Sequence, residues 1–374
     1  MERYSDLQFR VFDWLRFPLI VGVVFIHCFG EPFDYESINF SHLTGIDYYN
    51  LFRVSISHVL THVCVPTFYL ISGYLFFIGL EKWNWNNYLN KLRKRVRSLL
   101  VPFLIWNTIY ILLTLFSVIR HEGWIGIQSF FEDNGYWRLY WDCKQWNLDR
   151  TNWLGGANLS TSPYLIPLWF LRDLMIVSVC SPLLYLLLRK TRGLGVFLLV
   201  TCYITGVFIP FPGFSIMAFM FFGIGGYCRI NRIDVTMLTY NYRYYIYIVA
   251  AILWIVCTLF NGHNTKTGDM IYPFYVIVGC MAMINIATHF VKNNIVRIPV
   301  ILSNSSFFIY LLHSIMVISI VTMMVQKIFG ETNVILQTFS YLLVPIVTVF
   351  ICFVIYYLLN KYTPFLCKIL VGNR

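Results

Sequence analysis

Ten apolar stretches, each close to the length a helix needs to cross a bilayer, follow one another down this chain, at about 11–29, 54–80, 99–119, 166–188, 194–211, 214–231, 244–260, 270–290, 304–326 and 334–359. A spanning helix needs roughly 20 mostly apolar residues, because about 30 Å of hydrocarbon is crossed at about 1.5 Å per residue. Within lipid the backbone must satisfy its own polar groups, and a helix does so inside one segment. The pattern therefore specifies an all-α polytopic membrane protein, a bundle of about ten transmembrane helices. Composition agrees. Of 374 residues, 58% are hydrophobic and 12% charged, where a soluble domain carries about 25% charge. With a mean hydropathy of +0.66, too little polar surface remains to cover a water-soluble globule.

The net charge of +11 would suggest a nucleic-acid partner on a soluble protein. Here the cations follow the loops. Starting from a cytoplasmic N-terminus, inner segments collect Lys82, Lys91, Arg93, Lys94, Arg95, Arg97, Arg189, Lys190, Arg229 and Arg232, among others. Outer segments hold only Arg53, Arg120, Arg138, Lys144, Arg150, Lys266 and Lys327. That bias orients the chain with both termini cytoplasmic, as a multi-pass protein of the cell (inner) membrane, and requires an even number of spans. No nucleic acid is expected. The first stretch lacks a small-residue cleavage site and carries Asp13, Arg16 and His27, so it reads as a retained helix. The cysteines lie mostly in apolar stretches without a CxxC spacing, which predicts neither a disulfide framework nor a zinc site. The turn Pro210-Phe211-Pro212-Gly213 divides 194–211 from 214–231 as a hairpin. No internal repeat appears, and residues 1–374 read as one membrane domain.

Ionisable residues inside membrane helices are costly and usually functional. The first stretch concentrates them: Arg10, Asp13, Arg16 and, after Pro18, His27. Arg16 and His27 are separated by about three turns plus 20°, hence nearly one face, and by roughly 16 Å along the axis. Asp13, three residues before Arg16, can pair with it. That face should line a polar cavity. A neutral imidazole there suits a general base for a hydroxyl; the other reading is a histidine that only hydrogen-bonds between helices. Trp169, Arg172 and Asp173 mark the outer end of the fourth stretch, either as part of a site or as an ion pair closing the bundle. Tyr310 and His313 share a face of the ninth, for cavity lining or for packing. His58 and His62 stand at i, i+4, but Val59, Leu60 and Thr61 between them supply no glutamate, and no metal is expected. The tryptophan-rich outer segment 120–165 either stacks on a sugar ring or forms an interfacial aromatic belt. Gly73, Gly223, Gly225 and Gly226 allow close helix approach.

Several of these segments, in order, resemble the integral membrane acyltransferase 3 family, whose members O-acylate cell-surface sugars. Asp13-x-x-Arg16 followed by Arg16-x10-His27 is similar to the family's opening pattern. Val65-Pro66-Thr-Phe68-Tyr-Leu-Ile-Ser72-Gly73-Tyr74 resembles its second-helix signature. Lys91-Leu-Arg93-Lys94-Arg95-Val-Arg97 before Pro102 resembles its basic element. Leu168-Trp169-Phe170-Leu171-Arg172-Asp173 and Ser306-Phe-Phe-Ile-Tyr310-Leu-Leu-His313 are similar to later family segments.

The resemblance implies an acyltransferase moving an acyl group, acetyl above all, from cytoplasmic acyl-CoA to a hydroxyl of an extracytoplasmic glycan or lipid-linked sugar. It implies Arg93, Lys94 and Arg97 as holders of the donor phosphates; their other reading is orientation alone. It implies His27 as base beside Arg16, and Ser72, Tyr310 and Arg172 as oxyanion candidates. No resident cofactor is expected, acyl-CoA being a substrate. The expected partners are membrane lipid, the donor, the glycan acceptor and, where the product is handed on, a separate protein. The alternative is a transporter of a small or acylated solute on the same bundle; such proteins often show inverted repeats or paired broken helices, and neither is found.

Overall fold

The structure, a computed structural model, describes residues 2–30, 33–35, 38–146, 160–191, 193–207, 209, 211–260, 265–330 and 333–372, with backbone alone for 2–6 and 146. Each of the ten apolar stretches is helical over most of its described length. Among the described residues, six helices are long and apolar enough to cross a membrane: Gly45–Phe76, Trp85–Asn134, Val235–Leu259, Lys266–Lys292, Val300–Phe329 and Val334–Tyr362. A seventh span arises if Ile166–Val179 and Ser181–Thr191, bent by 60°, count as one. Pro182 lies just past that bend and leaves the Ser178 carbonyl without its helical donor. The first helix, Glu2–His27, has the length. Arg10, Asp13 and Arg16 fall in every 18-residue stretch of it, beyond the charge a spanning window tolerates.

The expected hairpin is shorter than its apolar run. Its first helix covers only Gly193–Ile204. Gly206, at φ 64°, closes it, with the Val207 N–H bonded back to the Cys202 carbonyl. A left-handed residue at that place is the usual end of a helix. Twelve residues reach about 18 Å, short of the hydrocarbon thickness. Its second helix is Ile216–Ile230. Pro210 lies outside the described residues, as do Arg150, Trp153 and Arg192.

The chain forms two compact units. The first comprises Met1–Ser72 and Asn231–Tyr356. In it the helix Glu2–His27 packs against Lys266–Lys292, Val300–Leu312 and the turns of 54–63. Its buried stripe is Val11, Leu15, Leu19, Val23 and Val24, at helical spacing. Lipid is as apolar as leucine, so polar ties specify this packing. Trp14 Nε1 donates to the Val296 carbonyl at 3.1 Å, Ser303 Oγ to the Asp13 carbonyl at 3.0 Å, and the Val235 N–H to Gln8 Oε1 at 2.8 Å.

The second unit comprises Gly73–Ile230 and Tyr357–Arg374. Its longest helix bends at Gly123, whose φ of 70° and ψ of −161° are open to glycine alone. Asn107, fully buried on that helix, donates to the Leu139 carbonyl and accepts from the Leu165 N–H, both at 2.9 Å. It thereby ties down the segment that holds the short antiparallel strands Lys144–Trp146 and Ser160–Ser162.

Gly73 lies against backbone. A Cβ there would fall 2.0 Å from the Phe222 carbonyl oxygen and 2.7 Å from its carbon, and backbone has no rotamer with which to yield. Gly73→Ala is expected to destabilise this unit by about 3 kcal/mol or more. Thermal melting in detergent checks it; a midpoint equal to wild type would show that the two helices separate freely.

Candidate active site

The site grows from the end of the first helix. Asp13 and Arg16 form the expected pair, Oδ1 to Nη2 at 3.2 Å, with side chains 60% and 41% exposed. Such a pair neutralises both charges but adds little stability. Arg10 is exposed on the same helix. His27, partly buried, is the last residue of the helix. A helix end leaves carbonyls without intrahelical donors. Here Ser57 Oγ donates to the Phe25 carbonyl at 2.6 Å and also meets the Tyr341 hydroxyl at 2.7 Å. Beyond the helix, Arg53 Nη1 donates to the Phe29 carbonyl at 3.0 Å, and its Nε to Asn50 Oδ1 at 3.0 Å. The Arg53 guanidinium lies 4.4 Å from the Phe29 ring centroid and 5.0 Å from that of Phe33. These contacts fix the chain on both sides of His27.

Arg53 has no place in the sequence reading except as an outer cation. Its signal was present: an arginine where a spanning stretch begins, followed by Ser57 one turn on. Nothing local says that its side chain turns inward, to 5% exposure.

Opposite His27 stands His313, its ring centroid 5.2 Å away. His313 is completely buried and opens a π-helical turn, His313–Val317, that interrupts the ninth apolar stretch. Tyr310, also buried, brings its ring centroid to 6.2 Å from that of His313. The first unit thus gathers Asp13 and Arg16 on one helix and His27, Tyr310 and His313 at one place. Ser72, partly buried, ends the first segment of this unit.

Arg93, Lys94, Arg97, Trp169, Arg172 and Asp173 belong to the second unit. Arg93, Lys94 and Arg97 are exposed. Lys91 and Arg95 instead lean over the Phe76 ring, at 5.9 and 5.6 Å from its centroid. Trp169 is partly buried. Arg172 is engaged on every side. Its Nε and Nη2 meet Asp173 Oδ1 at 3.0 and 2.9 Å. Nη1 donates to the Trp141 carbonyl at 2.7 Å and to Thr161 Oγ1 at 3.1 Å, and Nη2 to the Thr161 carbonyl at 2.9 Å. A guanidinium has five N–H groups, and four of them make these hydrogen bonds, locking the segment that holds Trp141 and Thr161 to the helix Trp169–Val179. Of the tryptophans in residues 120–165, Trp124 and Trp137 are 78% and 88% exposed. The side chain of Trp146 and the whole of Trp153 fall outside the described residues.

His58 lies flat on the Phe29 ring at 3.9 Å, and His62 Nδ1 meets the Tyr272 hydroxyl. Among the described residues, no group of three His, Cys, Asp or Glu is placed to hold a metal ion.

A family model described as an acyltransferase domain matches residues 9–357. The chain belongs to the acyltransferase 3 family. The match spans residues of both compact units, from just before Arg10 to the last long helix. The chain is also 29% identical, over 229 residues, to the succinoglycan biosynthesis protein ExoH of Rhizobium meliloti (strain 1021), an alignment covering 60% of the present chain and 55% of that relative. The chain therefore spans about half the length of the curated relative it matches. No solved structure matches it.

Proposed function

We propose that this acyltransferase moves an acyl group, acetyl in the first instance, from cytoplasmic acyl-CoA to a hydroxyl of an extracytoplasmic polysaccharide or lipid-linked sugar, with His27 as general base. The family match supplies the reaction class. The relative's name, a succinoglycan biosynthesis protein, supports a glycan acceptor. The observation that carries the reading is His27 itself: a partly buried imidazole, on a chain held on both sides of it by Ser57 and Arg53 through the Phe25 and Phe29 carbonyls, at the end of the helix that carries Asp13 and Arg16. In this reading ten spans cross the cytoplasmic membrane with both termini inside. Arg93, Lys94 and Arg97, exposed and basic, meet the donor phosphates.

The chemistry needs one proton carrier. The acceptor O–H gives its proton to a His27 nitrogen as its oxygen bonds to the thioester carbon. The C–S bond then breaks, and the departing thiolate takes the proton from the imidazolium. Tyr310 and Ser72 are the neutral candidates to meet the oxyanion. A separate partner protein that completes the product is expected to co-purify with the chain.

Mass spectrometry of surface glycans from cells with and without an intact copy tests the whole reading. The expected result is a mass difference of one acyl group per modified sugar. Identical glycans, together with solute movement in vesicles that contain no acyl donor, would replace the enzyme by a transporter.

A further inference from the structure

Among the described residues, His313 presents a buried nitrogen with no hydrogen-bond partner. Its side chain is fully enclosed. Its Nδ1 lies 3.1 Å from the Ile309 carbonyl oxygen. A carbonyl only accepts, so Nδ1 carries the hydrogen, and in the neutral ring Nε2 is then the bare nitrogen. Among the described residues, Nε2 has no hydrogen-bond partner. A buried acceptor left unsatisfied costs about 1–3 kcal/mol, and each such group in a native protein calls for an explanation.

The backbone beneath it is also unusual. The π-helical turn starts at His313, and Met316 within it takes a left-handed φ of 63°, uncommon for a residue with a side chain. Strain of this kind gathers at functional sites. The His27 ring stands 5.2 Å away, centroid to centroid. That spacing is a small side-chain rotation from hydrogen-bond reach, as resting sites often are before substrate binds.

We propose that His313 is a positioning residue for His27: its bare Nε2 accepts the N–H of one His27 nitrogen, which fixes the tautomer and turns the other nitrogen to the acceptor hydroxyl. The inference rests on the reading of His27 as the base. During transfer the free His27 nitrogen takes the acceptor's proton as the new C–O bond forms. It returns that proton to the thiolate when the C–S bond breaks. The other His27 N–H stays on His313 throughout, and His313 neither gains nor loses a proton. This is the third member's part in a nucleophile–base–orienter arrangement, taken here by a neutral ring.

Two substitutions in the full chain separate this role from packing. His313→Asn keeps an N–H for the Ile309 carbonyl and removes everything at the Nε2 position. His313→Gln reaches the Nε2 position with an amide oxygen that accepts. Membrane vesicles carrying their own glycan are supplied with radiolabelled acetyl-CoA, and label in the glycan is measured. The expected result is a kcat about 100-fold lower for His313→Asn, with KM for acetyl-CoA unchanged, and a rate within about tenfold of wild type for His313→Gln.

The reverse order, an active His313→Asn and a folded but inactive His313→Gln, overturns the proposal. If His313→Asn does not fold, His313→Gln decides: retained rate supports the role, and a 100-fold loss in folded protein rejects it. His27→Ala in the same vesicles separates the two levels. If it stays active, the base reading falls and this inference with it. If it is inactive while His313→Asn runs at the wild-type rate, only the positioning role falls.

Discussion

His27→Ala is expected to lower acyl transfer by about 10²–10⁴-fold, the range that a positioned general base contributes, while the protein still folds. Folding should survive for a specific reason. Among the described residues the His27 side chain makes no hydrogen bond, so its removal orphans no buried group, and Ser57 and Arg53 hold the chain on both sides of it through backbone carbonyls. The loss should therefore appear in the rate and not in protein yield or melting temperature. Transfer of label from radiolabelled acetyl-CoA to glycan in membrane vesicles measures it, with melting in detergent as the control. A rate within threefold of wild type removes His27 from the chemistry and leaves the family's reaction to another residue.

Arg172→Ala is expected to be the most damaging single change outside the site, at about 3–5 kcal/mol. Both members of the Arg172–Asp173 pair are nearly inaccessible, at 2% and 3% exposure. Truncating the arginine leaves the Asp173 carboxylate buried without its counter-charge. It also strips donors from the Trp141 and Thr161 carbonyls. Arg172→Lys should recover only part of the loss, because one ammonium cannot replace a planar fork that serves five contacts. Removing both charges, as in Arg172→Met with Asp173→Leu, should cost less than Arg172→Ala alone, since no unpaired charge remains. Melting midpoints of the purified protein in one detergent rank the three. Equal midpoints for Arg172→Ala and wild type would mean that the segment holding Trp141 and Thr161 is secured elsewhere.

The apolar spacing alone placed every long helix, and the cation bias gave it an orientation to test. The breaks within helices were less legible. Pro182 and Gly206 carry local rules, and the bend and the early stop at those places could have been read from them. The π-helical turn at His313 has no such marker, because Ser314, Ile315 and Met316 are ordinary helix residues. Arg53 and Arg172 differ in the same way. Arg53 reads as an outer cation and Arg172 as part of a site or of an ion pair closing the bundle, and both are buried by contacts with backbone carbonyls that lie far from them in sequence or on a separate segment.

By itself the sequence determined that lipid is the solvent, which stretches are helical, and that the first helix pairs Asp13 with Arg16 and ends in an imidazole. Those properties are local: they follow from periodicity, charge and spacing within one segment. Only the tertiary structure decided that the imidazole of His27 faces that of His313, that the second ring's outer nitrogen is bare, and that Arg53 clamps the chain beside them. These depend on which faces of distant helices meet, and in lipid that choice is made by packing and a few hydrogen bonds rather than by hydrophobicity, so no single segment records it.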